Sequence, residues 1–156
     1  MENWRVNITE NMKLQQSKLN ILFTQFQQIP KKDLIDRPDE LIKTNFRLSN
    51  SILVLINASV NEVYFTRRTL KHIAEKGDEG KKLFRVIPNT LMHPYFLYKT
   101  DRNNRLALSR PFINKNMKRY FVVILELSNR KQIIITVFIA KEKYLKNFEI
   151  LWRTAT

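Results

Sequence analysis

Apolar positions in the first part of the chain recur with a helical period. Met12, Leu19, Leu22, Phe23 and Phe26 form one stripe between Thr9, a candidate cap, and Gln28. Ile29-Pro30 ends it, because the residue before a proline is pushed out of helical geometry. Asp36 is placed to cap a second helix with Pro38 in its first turn and Leu41, Ile42, Asn45 and Phe46 on its inner side. The unbroken aliphatic run Ser51–Ile56 reads as a buried strand, and Val63–Phe65 as a short extended piece. Thr66 then caps a helix that Gly77 closes, with Leu70, Ile73 and Ala74 facing the core. A further helix over 78–86 turns Leu83 and Phe84 inward and is stopped by Ile87-Pro88-Asn89.

From there the period changes to strands. Tyr95–Thr100 leads through the turn Asp101–Asn104 into Arg105–Ser109, halted by Arg110-Pro111. After a basic loop over 114–118 come Arg119–Leu127 and Gln132–Ala140, joined by a turn at 128–131. A basic segment, 141–146, precedes a last strand, Ile150–Arg153. In the Gln132–Ala140 strand, Ile133, Ile135, Val137 and Ile139 alternate onto one face; Ile134, Thr136 and Phe138 take the other. The expected fold is α+β: N-terminal helices packed on a mostly antiparallel four- to five-stranded sheet. Residues 1–50 read as a helical extension and 51–156 as one domain.

Charge changes the picture most. The chain has 28 Lys and Arg against 14 Asp and Glu, a formal net charge of +14 over 156 residues. A positive field spread along the whole chain suits nucleic acid better than a lipid anchor, which would be a local basic block. There is no cysteine, so disulfides, iron–sulfur clusters and thiolate metal sites are excluded. With only two histidines and no tight acidic cluster, a metal site is not expected. With only two glycines, a phosphate-cradling loop is not expected either. The polar N-terminus lacks a signal-peptide layout and no apolar run is of membrane-spanning length, so the expectation is a cytoplasmic protein with no membrane partner.

Candidate chemistry centres on His72. Arg68 lies one helical turn before it and Lys71 beside it. Histidine is the side chain that gives or takes a proton near neutral pH, and arginine stabilises phosphate charge. Together they are a minimum kit for attack of a ribose 2′-hydroxyl on its own phosphodiester. Exposed helices also carry such residues as ordinary solvated surface. Thr136, a small hydroxyl at the centre of its strand face, could donate to a phosphate oxygen, although β-branching alone explains a strand threonine. Arg110 stands where a strand meets proline, placed to reach a cleft and pair with phosphate. Lys99, Lys118 and Arg119 are further cationic contacts, and Tyr98 between cations could stack a base or simply be core. His93, extended before Pro94, reads as structural or incidental.

As a series, these segments resemble the phage-type branch of the barnase/EndoU/colicin/RelE-like (BECR) nuclease superfamily. VYFTRRTLKHI resembles its strand-then-helix entry with a histidine, and FRVIPNTLMHPYFLYKT its helix and asparagine-to-proline passage into the sheet. LALSRPF and KRYFVVILELSNRKQIIITVFIA resemble its paired strands, and EILWR its closing strand. The resemblance spans about residues 63–153. It implies a four-stranded antiparallel sheet, metal-independent cleavage of RNA to 2′,3′-cyclic phosphate ends without a cofactor, and a toxin or phage-associated role. It further implies RNA as partner, transfer RNA among the candidates, and a cognate antitoxin or immunity protein. By position, His72 matches its helix histidine, Thr136 its strand hydroxyl and Arg110 a basic residue at a strand end, although its members share no single catalytic set; Gly80, in the helix after His72, is a departure. Two other classes fit the composition: a non-catalytic nucleic-acid-binding module, and a phage accessory protein whose basic surface meets an acidic partner.

Overall fold

The computed structural model describes residues 38–58, 62–128 and 130–154, with Ser17, Asn20, Ile21, Phe23, Thr24, Gln25 and Gln28. Those isolated N-terminal residues are helical, and Phe23 is buried against the edge of Phe84. The expected caps at Thr9 and Asp36, and Met12, Leu19, Leu22 and Phe26 of the first stripe, lie outside the described residues.

Among the described residues, seven strands form one mixed sheet. They are β1 (Leu41–Arg47), β2 (Glu62–Thr66), β3 (Phe96–Lys99), β4 (Arg105–Asn114), β5 (Met117–Ser128), β6 (Lys131–Ala140) and β7 (Glu149–Arg153). Their order is β1-β2-β6-β5-β4-β3-β7. Every pairing is antiparallel except β2 with β6. Among the described residues from 38 onward, four helices punctuate them: α1 (Asn50–Leu55), α2 (Arg67–Ala74), α3 (Asp78–Met92) and α4 (Glu142–Leu145). The class is α+β as expected, but the sheet is wider than four or five strands and the helices are distributed along the chain.

Three local expectations are corrected. The run Ser51–Ile56 belongs to a helix, not a strand: the Ser49 side chain accepts a hydrogen bond from the Ile52 amide at 3.3 Å and caps it. Only Ile52 of α1 is buried, and Val54 is 80% exposed, so the aliphatic run is not a core strand. Conversely, Leu41–Arg47 is the edge strand β1 rather than a helix. A short apolar stretch does not by itself distinguish the two periods. Pro88 does not stop its helix. It lies inside α3, which continues to Met92 because Ile87 and Leu91 bury completely and outweigh one lost amide bond.

α2 forms as read. The Thr66 hydroxyl accepts from the Thr69 amide at 3.1 Å, and Leu70, Ile73 and Ala74 are buried. Together with α3, it covers one face of the sheet, here called the inner face, which holds the larger core cluster with Phe65, Val123, Leu125, Ile134 and Val137. The outer face carries a smaller cluster of Tyr98, Ala107, Tyr120, Val122 and Ile124, closed by Leu145 of α4.

One irregularity reassigns faces along β6. Ile124 pairs with Thr136 while Leu125 pairs with Ile134, so Ile135 is an extra, bulged residue. Its carbonyl accepts a hydrogen bond from the Thr69 hydroxyl of α2 at 3.0 Å. The strict alternation expected for Ile133–Ile139 therefore breaks. Ile134, Val137 and Ile139 face the inner core, and Phe138 faces outward.

Candidate functional site

Directly opposed residues on neighbouring strands project to the same face. Arg110 pairs with Phe121, and Phe121 with Ile139, both of the inner cluster. Thr136 pairs with Ile124, and Ile124 with Ala107, both of the outer cluster. Arg110 and Thr136 therefore lie on opposite faces, and the expected constellation of His72, Thr136 and Arg110 does not assemble. His72 itself is exposed on α2.

Arg110 instead lines an inner-face cleft of about 390 Å³ with the chain's other histidine, His93. The cleft is bounded by α1 through Ser51, Ile52 and Leu55, and by the connection from α3 to β3. The end of β7 supplies Trp152 and Thr154. Local folding explains the placement. α3 ends at Met92, and the His93 amide closes it on the Asn89 carbonyl at 2.8 Å. The next residues are fixed from both sides: the Tyr95 amide donates to the Ser109 carbonyl, and the Thr154 amide to the Tyr95 carbonyl, each at 2.8 Å. The Thr154 hydroxyl adds a bond to the Pro94 carbonyl at 3.1 Å.

The Arg110 guanidinium lies 4.5 Å from the Tyr95 ring centroid and donates to the His93 carbonyl. It is thus held over an aromatic ring, which restricts its rotamers. None of the described lining residues is acidic. Arginine, histidine, tryptophan and hydroxyl-bearing residues lining one cleft are groups of the kind that can hold an anion and exchange a proton beside it.

The remaining expected contacts separate into groups. Arg119 pairs with Phe112 and so occupies the inner face diagonal to Arg110, a separation of about 7–8 Å. Its guanidinium donates to the Lys118 carbonyl at 2.9 Å. Lys118 is exposed on the other face, with its ammonium 5.4 Å from the Tyr120 ring centroid. Arg68 is exposed and approaches Asp39 at 3.6 Å, which partly compensates its charge. Lys71 is buried in α2 rather than open beside His72. Tyr98 is only 5% exposed and packs in the outer cluster between Phe96 and Phe148, so it is core and not a stacking platform. Burial pushes its phenol pKa up. Lys99 is exposed at the far end of the sheet, beside a second cleft.

His93 is the residue that sequence reasoning set aside. Its signal was positional: His-Pro follows immediately on a helix and precedes the strand whose neighbour carries Arg110. Among the described residues, no group of three or more potential metal ligands is brought together, and no helix is long and apolar enough to cross a membrane.

A model of the phage-Barnase-EndoU-ColicinE5/D-RelE like nuclease2 family matches residues 50–152, from the start of α1 into β7. No curated protein and no solved structure matches the chain significantly.

Proposed function

The chain belongs to this nuclease family, and from that premise we propose that it is an endoribonuclease working at the cleft of His93 and Arg110. The observation that carries the reading is that Arg110 and His93 line one cleft, none of whose described lining residues is acidic. Arg110 binds the phosphodiester and stabilises the charge that builds on its oxygens. His93 takes the proton of the ribose 2′-hydroxyl as that oxygen attacks phosphorus. The bond to the 5′-oxygen breaks as that oxygen takes a proton from water, leaving a 2′,3′-cyclic phosphate and a 5′-hydroxyl. Arg119, diagonal to Arg110 on the same face, meets a neighbouring phosphate.

The test is cleavage of total RNA in EDTA by wild type, His93→Ala, Arg110→Ala and His72→Ala. Loss of a general base or a charge-stabilising donor costs about a hundredfold or more. The expectation is that drop for His93→Ala and Arg110→Ala, with His72→Ala close to wild type. Full activity in His93→Ala, with loss in His72→Ala, would move the site to α2. RNA binding that weakens steeply with salt, without cleavage by any variant, would make the chain a binding module.

A further inference from the structure

The second inner-face cleft, of about 350 Å³, lies near the start of β4, where Leu106 lines it four residues before Arg110. Its walls include Leu125, Leu127 and Leu151. Gln132 lines it, is 1% exposed, and leaves its side-chain Nε2 without a hydrogen-bond partner. A buried amide donor left unmade costs free energy, and an acceptor entering the cleft removes that cost. At the mouth stand the exposed Asn103 and Asn104, on a turn fixed by the Leu127 amide donating to the Asn104 carbonyl at 3.0 Å. Lys99 is exposed beside them.

Apolar walls, one buried donor, flanking amides and a single exposed cation suit a flat heterocycle carrying a carbonyl oxygen and a phosphate. The volume lies at the lower end of the range for small-ligand sites. We propose that this cleft is a nucleotide subsite that takes a keto-bearing base, its carbonyl on Gln132 Nε2 and its phosphate toward Lys99. This deepens the ribonuclease reading and rests on it. Leu106 of this cleft and Arg110 of the first are four residues apart on β4, about 13–14 Å along a strand. One single strand can reach both, since such sites span roughly 4–16 nucleotides. α1 stands between them, with Ile52 and Leu55 lining the first cleft and Ile56 the second.

The experiment is an NMR titration of the isotope-labelled full chain with uridine 5′-monophosphate, adenosine 5′-monophosphate and uridine. The uridine nucleotide should shift the Gln132 side-chain amide and bind about tenfold more tightly than the adenosine nucleotide, which lacks a keto group. Gln132→Leu, which removes the unpaired amide at similar volume and should keep the fold, is expected to abolish that preference. Lys99→Ala, at an exposed position, should weaken the nucleotide to the level of uridine. A shift of the Trp152 indole with no change at Gln132 would place the nucleotide in the first cleft and overturn the inference. RNA cleavage without any nucleotide effect at Gln132 would overturn it while leaving the ribonuclease reading standing. A Gln132 shift in a chain that cuts no RNA would support the subsite and remove the catalytic reading.

Discussion

Gly80 lies in the first turn of α3, and a β-carbon built there would sit 2.2 Å from the Ile73 carbonyl oxygen of α2 and 2.9 Å from Phe23 Cε2. Two effects oppose each other in Gly80→Ala. Alanine favours a helix over glycine by about 1 kcal/mol. Against this, overpacking a dense site costs about 1–3 kcal/mol, and more where the obstacle cannot move. A phenyl edge can swing aside; a backbone carbonyl moves only with its helix. The carbonyl contact is more than 1 Å inside the normal limit of approach of roughly 3.2–3.4 Å for carbon and oxygen, so α2 and α3 must separate. Crowding wins, with a net loss of about 2 kcal/mol once the helix gain is subtracted. For a chain of this size that lowers Tm by about 4–8 °C. Thermal and urea unfolding of the two proteins measure it. Because the carbonyl is decisive, adding Phe23→Leu should not restore stability. A variant as stable as wild type, or rescue by Phe23→Leu, would refute the reasoning.

Two further outcomes follow from local chemistry. Thr66→Ala removes the hydroxyl that caps α2 and should cost about 1 kcal/mol in urea unfolding, with Thr66→Ser retaining most of the stability. The Tyr64 hydroxyl, donating to Glu62 at 2.8 Å, and the Lys43 ammonium hold the Glu62 carboxyl below the usual carboxylate range. A depressed folded-state pKa contributes stability above the ordinary carboxylate range, which is lost as pH falls through the depressed value. The Tm difference between wild type and Glu62→Gln should therefore be largest near neutrality and close on acidification; a gap that widens in acid would contradict it.

The sequence was most informative where local chemistry alone decides structure. Thr66 announces α2 because a hydroxyl at that position has an unpaired amide three residues on to satisfy. The long β5–β6 hairpin is legible because its apolar positions leave no alternative to burial. Leu41–Arg47 and Ser51–Ile56 exchanged their expected identities because six or seven apolar-rich residues satisfy either period, and tertiary pairing with β2 chose between them. The bulge at Ile135 was invisible for a similar reason. It depends on Leu125 meeting Ile134 across the ladder and on Thr69 arriving from α2 to take the freed carbonyl. That one extra residue settles that Thr136 occupies the face opposite to Arg110. Arg110 does line a cleft, as expected of an arginine where a strand meets proline. The neighbourhood of His93 and Arg110 was not legible because the two meet 17 residues apart, across a strand pairing the sequence does not spell out.

The pairing of β1 on β2 has a consequence for where the folding unit begins. The family match starts at residue 50, yet β1 precedes it, and Phe46 and Leu48 just before it are core residues. The Thr44 hydroxyl donates to the Val63 carbonyl at 2.8 Å. A chain shortened to the matched stretch would uncover the whole flank of β2, a row of unsatisfied amides and carbonyls beside the exposed ends of a greasy core. Such a flank recruits any strand that fits it, including its own copy. β1 therefore acts as a chaperoning strip, and the cooperative body of this nuclease extends upstream of the segment by which its family is recognised.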